Sequence, residues 1–477
     1  MSAGTPTGAQ ARAELDLAGQ VLELVRRHAG ADAQAEVLVD RREYALTRFA
    51  VSYIHQNVAD ESTSVRLRVH RGGRTAGGST TVVDAAGLEG LVTRTLEAAR
   101  LLPPDPGWPG LAPPATASAA GSPDDATAGA GPSERAERVR AFVDAAGGLE
   151  TAGYCRTSST RAAFANTAGQ SLTGAFTEAG MDGIARARGS AGTAPADGAA
   201  RLASSRLADL DGSVLGARAA AKARAAVDPV EVPPGSYPVV LEPAAVADLL
   251  LMLAVYGFNG RAVNDGVSFA QVGQPQFDRR VSLVDDATAP GAIGLPFDLD
   301  GTPKRPLELV RDGVTTSVAH DRRTAAVAGT TSTGHGIGEA SSGAVPTNLA
   351  LVPAEGSGEV TEVDGPMADS AVADLVRGLE RGLLVSDIWY TRVLDPRRLV
   401  MTGLTRNGVW LVENGELTRP VSTLRFTQSY PGALAPGLVT GIGGHAPHLP
   451  GDDWMTVDLQ APALSLAGWN VTGGASG

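Results

Sequence analysis

Cysteine is almost absent from this sequence, since Cys155 is the only one among 477 residues. A single cysteine excludes an internal disulfide, and it cannot build a metal-binding thiolate cluster alone. Its surroundings, AGYCRTSSTRAAF, are typical of a strand. We therefore predict that Cys155 is a small residue of the core.

Familiar catalytic and targeting signals are missing as well. No histidine is followed by glutamate, which excludes the helical zinc-peptidase motifs that begin His-Glu, and there is no Walker phosphate loop. The amino terminus, MSAGTPTGAQARAELDLAG, has no basic segment followed by an apolar stretch, so it does not support a standard signal peptide. We expect a cytoplasmic protein.

Basic residues are outnumbered, because 40 Lys and Arg stand against 52 Asp and Glu and give a formal charge of −12. This charge opposes attraction to phosphate backbones and anionic lipid, so we expect neither nucleic acid nor a membrane as the main partner. Hydrophobic residues make up 43% and charged residues 19%, which is typical of globular proteins. The length suggests two domains.

Large apolar residues are concentrated in one run, DLLLMLAVYGFNG, from Asp248 to Gly260. Pro243 suits the first position of a helix, and Gly257 suits its end. The helix between them has about 14 residues, fewer than the ~20 that cross a bilayer. An element that is apolar all round is buried, so we predict a core helix here.

Segments whose apolar residues recur with helical spacing alternate with segments of strand-like pattern in the amino-terminal half. Helices are predicted at about 9–28, 86–101 and 134–146, followed by a small-residue helix that ends near 226. Strand patterns lie between them, as in STSVRLRVHRGGR. The segment at about 103–133 is rich in Pro, Ala and Gly, so we predict a flexible, exposed connection there.

Hairpin signals dominate the carboxy-terminal half. Asp300-Gly301, Asp312-Gly313, Asn407-Gly408 and Asn414-Gly415 each lie between short apolar or alternating runs. One further helix is predicted at about 369–381. The resulting expectation is an α+β protein with an α/β domain at 1–226 and a β-rich domain, which contains the buried helix, at 227–477.

Several stretches, in the same order along the chain, resemble the TldD/TldE family, also called PmbA or modulator of DNA gyrase. They include RFAVSYIHQNVADESTSVRLRVHRGGRTAGGST, TSTGHGIGEASSGAVPTNLALVP, ERGLLVSDIWYTRVLDPRRLVMTGLTRNGVWLVENGELTRPVSTLRFTQS and LSLAGWNVTGG. The resemblance implies two domains, α/β and then β-rich, and a metallopeptidase assembled from two related chains. It also implies that the catalytic, TldD-like chain carries a helix of the form HExxxH, with zinc on the two histidines and on a cysteine from a later loop.

The apolar run aligns with that metal helix by its flanks. The three functional positions of HExxxH then fall on Leu251, Met252 and Tyr256. Leucine and methionine offer neither the imidazole nor the general base, and a lone tyrosine makes a poor zinc site. This pattern resembles the TldE-like subunit, so we expect no catalytic residue and no cofactor in this chain.

Two loops hold further candidates. VTGIGGHAPHLPGDD lies where the family's ligand cysteine would be and offers His445 and His448, which are two metal ligands where three are needed. TSTGHGIGEASSG carries His335 and Glu339 as exposed-looking polar groups, and the resemblance implies that this region lies near a shared peptide channel.

The loop that carries His335 and Glu339 departs from the family pattern. Where many family members have Arg-Arg, this chain has Ile337 and Gly338, and a glycine-rich loop most often serves backbone geometry. Asn259 and Arg261, just past the apolar run, are similar candidates for lining a substrate channel.

Two functions remain open at this point. The first is a non-catalytic subunit of a zinc peptidase, paired in a heterodimer with a TldD-like chain that holds the zinc and acts on small or unfolded peptides. The second is a free-standing peptide-binding or regulatory protein that has lost peptidase chemistry, with an enzyme using different catalytic residues as a variant.

Overall fold

A computed structural model describes residues 7–118, 123–190, 194–339, 341–355, 361–451 and 457–474, with backbone only for 7–11. Ten α-helices lie in these ranges: α1 (Thr7–Ala29), α2 (Ala85–Leu101), α3 (Asp125–Ala128), α4 (Pro132–Ala145), α5 (Gly212–Ala225), α6 (Pro243–Met252), α7 (Gly260–Asn264), α8 (Arg322–Ala328), α9 (Ser370–Arg377) and α10 (Tyr430–Ala433). A 3₁₀ turn, Leu207–Asp209, precedes α5, and a π-helical turn, Leu253–Gly257, continues α6.

Nineteen strands lie in the described ranges: β1 (Gln34–Ala50), β2 (Tyr53–Arg71), β3 (Arg74–Thr80), β4 (Glu150–Asn166), β5 (Ser171–Ala187), β6 (Ala196–Ser204), β7 (Gly235–Leu241), β8 (Leu283–Asp285), β9 (Leu307–Arg311), β10 (Val314–Thr315), β11 (Asn348–Leu351), β12 (Arg381–Asp395), β13 (Val400–Glu413), β14 (Glu416–Pro420), β15 (Leu424–Ser429), β16 (Val439–Ile442), β17 (His448–Leu449), β18 (Asp458–Gln460) and β19 (Leu464–Gly474).

One large sheet contains twelve of these strands, in the order β10-β9-β8-β11-β18-β17-β6-β5-β4-β1-β2-β3. Its six amino-terminal strands are antiparallel and include the long hairpins β1–β2 and β4–β5. Helices α1 and α2 share one apolar cluster with β1 and β2, and α4 and α5 share another with β4 to β6. Cys155 is fully buried in the second cluster, as the sequence predicted.

A second sheet closes on itself. Strand β12 pairs with β7, β7 with β19, β19 with β15, β15 with β13, and β13 again with β12. Inward side chains of this ring, such as Leu241 and Val385, belong to the same apolar cluster as α6. The ring thus positions the predicted core helix.

Most predicted elements are confirmed, and the mixed α+β class with them. The large sheet includes strands from both halves of the chain, which meet where His448 of β17 pairs with Ala203 of β6. A division near residue 227 stays a prediction. The Pro- and Gly-rich connection has little regular structure, but it is not exposed throughout, because the Trp108 ring stacks on His70 with a centroid distance of 5.0 Å.

One predicted hairpin is wrong. Asn414-Gly415 turns between β13 and β14, but Asn407-Gly408 lies inside β13. Asn407 and Gly408 both have positive φ, and the register between β12 and β13 shifts beside them. The residue pair that favours a tight turn is used here in a β-bulge, which also accommodates positive φ.

Candidate functional site

The helix aligned with the family's metal helix is buried on most sides. Leu249, Leu250 and Leu253 are at most 1% exposed, and the helix ends in a π turn in which Phe258 N donates to Leu253 O at 2.8 Å. The buried sides of this helix therefore pack through aliphatic side chains.

One face of the same helix is open, which corrects the prediction that the helix is buried all round. Leu251, Met252 and Val255 are half-buried, and Tyr256 is 36% exposed. Side chains at i and i+4 lie on one side of a helix, and those at i+1 and i+5 lie on the adjoining side. The three positions that align with HExxxH thus lie together at the surface, and none of their side chains is an imidazole or a carboxylate.

Asp248 anchors this helix through polar contacts that sequence reasoning missed. Its carboxylate accepts hydrogen bonds from Thr391 Oγ1 and from the Tyr430 hydroxyl, both at 3.0 Å. Burial of Tyr430 and the neighbouring charge of Asp248 raise the pKa of the phenol well above its ordinary value. The contacts tie the helix to β12 and to α10.

Asn259 and Arg261 follow the π turn and differ in their surroundings. Asn259 is 5% exposed, its Oδ1 caps α7 at Arg261 N, and its Nδ2 donates to Val255 O and Ser342 O. The Arg261 side chain is exposed, with its Nε 3.4 Å from Asp265. The Asn259 side chain thus holds the backbone at the start of α7, whereas Arg261 places a charged group at the surface.

His335, predicted as an exposed-looking group, is buried instead. It is 1% exposed, its Nε2 lies 2.9 Å from Asp285 Oδ1, and its Nδ1 lies 2.9 Å from Thr333 Oγ1. Burial raises the pKa of Asp285, but His335, Lys304 and the backbone N–H of Asn348 together outweigh burial, and the pKa is lowered. These contacts hold the His335 ring in the packed interior beneath its loop.

The rest of that loop meets the amino-terminal sheet. Arg68 of β2 donates to Gly338 O and to Asp300 Oδ1, both at 3.0 Å, and its Nη1 lies 2.7 Å from Glu36 Oε1. Glu339 is exposed, as predicted. Burial raises the pKa of Glu36 to about 7, while Arg68 opposes the shift.

The two histidines of the late loop are placed differently. His445 is exposed, whereas His448 is half-buried, with its Nδ1 2.6 Å from Asp458 Oδ1. In the ranges that the structure describes, no three His, Cys, Asp or Glu side chains are grouped as metal ligands. Among the described residues, these two histidines thus lack the third protein ligand that a catalytic zinc site takes.

A cleft of about 510 Å³ opens at the amino-terminal end of α6, between β6, α5 and β12. Inside it, Glu242 accepts from Lys222 Nζ, from Ser386 Oγ at 2.7 Å and from Ala368 N at 2.9 Å. His445 also lines the cleft. No sequence motif indicated this site, because its residues come from separate parts of the chain.

The twelve-stranded sheet and the closed ring of strands that packs against α6 form the scaffold of a metallopeptidase-like protein family, which a sequence match identifies. Residues 234–473 match the PmbA/TldA metallopeptidase C-terminal domain. The chain belongs to this PmbA/TldD family.

Solved structures share the fold. TldE from Thermococcus kodakarensis is 17% identical and has a TM-score of 0.83, with 96% of this chain and 100% of that chain covered. A proposed modulator of a DNA gyrase from Thermotoga maritima is 17% identical with a TM-score of 0.80, covering 96% of this chain and 99% of that one. A further proposed modulator of DNA gyrase, from Bacteroides thetaiotaomicron, is 19% identical with a TM-score of 0.78, covering 96% and 98%.

None of the helices in the described residues is both long enough and apolar enough to span a membrane. A cytoplasmic location stays a prediction.

Proposed function

We propose that this chain is a non-catalytic, TldE-like subunit of a heteromeric zinc metallopeptidase that degrades or processes small or unfolded peptides. In this proposal a TldD-like partner holds the zinc and all of the hydrolytic chemistry. This chain supplies one wall of the chamber in which the peptide is bound.

The observation that carries the proposal is the chemistry of Leu251, Met252 and Tyr256. Zinc-dependent hydrolysis needs a metal that polarises the carbonyl and a base that takes a proton from water. At the aligned positions two side chains are apolar, and the third is an exposed phenol. The residues present do not fit the metal, so no catalytic step is assigned to them.

The cleft beside α6 supports a role in peptide binding. Glu242 and Lys222 are buried and paired there, and Arg218 pairs with Glu362. A cleft lined by a few polar groups among apolar side chains is the kind of site in which a peptide, with its polar termini and amides, can bind. The same observation favours the second candidate function, a peptide-binding or regulatory protein that acts without a catalytic partner.

A cleavage assay separates the two functions. Peptides are incubated with this chain, with a TldD-like chain carrying intact HExxxH, and with their mixture. We expect hydrolysis by the mixture alone, lost when the partner's motif Glu is changed to Gln. Tyr256→Phe in this chain removes the only oxygen at the aligned positions and should leave most of the activity.

Chelator-resistant hydrolysis by this chain alone would contradict the proposal and point to different catalytic residues. Saturable peptide binding without hydrolysis in any mixture would instead favour the binding-protein alternative.

A further inference from the structure

Strand β2 has a long open edge. It has 19 residues and pairs with β1 along its length, but β3 pairs only with Val65 to Arg71. In the part of the chain that the structure describes, residues 53–64 therefore have a strand neighbour on one side only. This half of the hairpin extends beyond the point where β3 ends.

The direction of the backbone groups on this edge follows from the next hairpin. Gly72 and Gly73 form a two-residue turn with positive φ, so Arg71 and Arg74 are a hydrogen-bonded pair facing each other across β2 and β3. Every second residue back from Arg71 directs its N–H and C=O to the same side. The residues that direct these groups to the open edge are Asn57, Ala59, Glu61 and Thr63.

This edge is only partly protected in the manner of edge strands, by the charges of Asp60 and Glu61 and by a bulge before Gln56. Residues 53–64 contain no proline and no lysine, and register with β1 is unbroken from Gln56 to His70. At ~3.3 Å per residue, the regular part from 56 to 64 is about 30 Å long. Such an edge can accept another strand.

The tip of the hairpin is apolar and strained. Val51 has a φ of 51° and is 62% exposed, and Tyr53 is 61% exposed. A positive φ is unfavourable for a β-branched residue, and neither side chain is buried within its own chain. The tip therefore adds apolar contact area at the end of the open edge.

We propose that residues 53–64 of β2 dock against the corresponding edge strand of the TldD-like partner, so that the two amino-terminal sheets become continuous. The inference rests on the proposed heteromer. A partner of the same family has the same fold, and therefore an edge strand whose backbone N–H and C=O groups also lack a neighbouring strand. Pairing two such edges satisfies the open backbone groups of both chains.

Charge favours a partner over a second copy of this chain. The formal charge of −12 opposes self-association. Along the edge, Asp60 and Glu61 are exposed, and Glu61 is paired with Arg41 of β1. An unlike chain can present basic side chains opposite Asp60, whereas a second copy adds its own negative charge.

Amide hydrogen exchange tests the pairing in the full-length complex. On mixing with the TldD-like chain, exchange at Asn57, Ala59, Glu61 and Thr63 should slow by about a hundredfold. Amides of Val58 and Asp60 already face β1 and should change little. Ala59→Pro removes one outward N–H and should weaken binding about tenfold or more, measured as Kd, while Ala59→Thr keeps the N–H and should bind normally.

The outcomes separate this inference from the proposed function. An active complex in which the four amides stay unprotected, or in which folded Ala59→Pro binds normally, overturns the edge pairing and leaves the proposed function standing. Absence of any complex overturns both. Protection of these amides in the isolated chain, with a doubled mass in light scattering, assigns the edge to a second copy and overturns the choice of partner.

Discussion

Arg201 of β6 and Asp387 of β12 form a bidentate ion pair that joins the large sheet to the ring of strands. Nη1 and Nη2 of Arg201 lie 3.3 and 2.9 Å from the two carboxylate oxygens. Asp387 also accepts from Asn407 Nδ2 at 2.8 Å, and Arg201 Nε lies 3.4 Å from Asp182. Burial lowers the pKa of Arg201, but the two carboxylates outweigh it and raise the pKa.

Removing this carboxylate should destabilise the protein. We expect Asp387→Ala to lower the free energy of unfolding by about 3 to 5 kcal/mol, because Arg201 is left mostly buried with a weaker partner. The matched control is Asp197→Ala, which breaks the more exposed pair with Arg186 and should cost about 1 kcal/mol or less. Urea denaturation checks both, and equal costs would show that the Arg201 pair adds nothing to the junction.

Neighbouring leucines on α6 should differ in their contribution to stability. Leu250 is fully buried, whereas Leu251 is half-buried on the open face. We expect Leu250→Ala to cost about 2 to 5 kcal/mol and Leu251→Ala clearly less, since only the first leaves a closed cavity. Thermal and urea unfolding compare the two. A larger loss at Leu251 would contradict the orientation of the helix.

Stability should fall as pH rises from 4.5 to 7 because of Glu36. Its pKa is raised from 4.5 to about 7 in the folded protein, so the folded state holds this proton more tightly than the unfolded state. The stabilisation is complete below pH 4.5 and is lost as pH passes 7, by about 3 kcal/mol at most.

Replacing the carboxylic acid with an amide isolates this contribution. Glu36→Gln should lose less stability than the wild type between pH 4.5 and 8 in urea titrations. Glu43→Gln, which alters a half-exposed partner of Arg161, is the control and should follow the wild type. An identical slope for Glu36→Gln would show that Glu36 is not protonated in the folded protein in this range.

The purified chain should hold no stoichiometric zinc. Leu251 and Met252 supply no ligand, and His445 and His448 offer two donors where a catalytic zinc takes three protein ligands. Mass spectrometry of metals after gel filtration checks this, with the TldD-like partner as the positive control. About one tightly held zinc per chain, lost in His445→Ala, would make the late loop a metal site.

Local signals predicted the elements well because they depend on neighbouring residues. The apolar run from Asp248 to Gly260 and the Asn414-Gly415 turn are both read from sequence alone. The Asn407-Gly408 bulge was missed because positive φ suits a turn and a bulge equally, and Asp387 on β12, which contacts Asn407, is distant in sequence.

The polar interior could not be predicted in this way. His335 looked exposed because it stands among glycines, yet it contacts Asp285, which is 50 residues earlier in the chain. Glu242 and Lys222 carry no motif and meet only when α5 packs beside the start of α6. The tertiary fold, which brings separate segments together, creates such pairs.

Strand β17 has consequences for how the molecule comes apart. It consists of His448 and Leu449, and its pairing with β6 involves His448 and Ala203 alone, whereas β4 and β5 pair over sixteen positions. Cooperative units of unfolding separate where few main-chain bonds connect them. Under mechanical pulling or mild denaturant, we therefore expect the first rupture in the large sheet to fall between β6 and β17, with the amino-terminal strands still paired to one another.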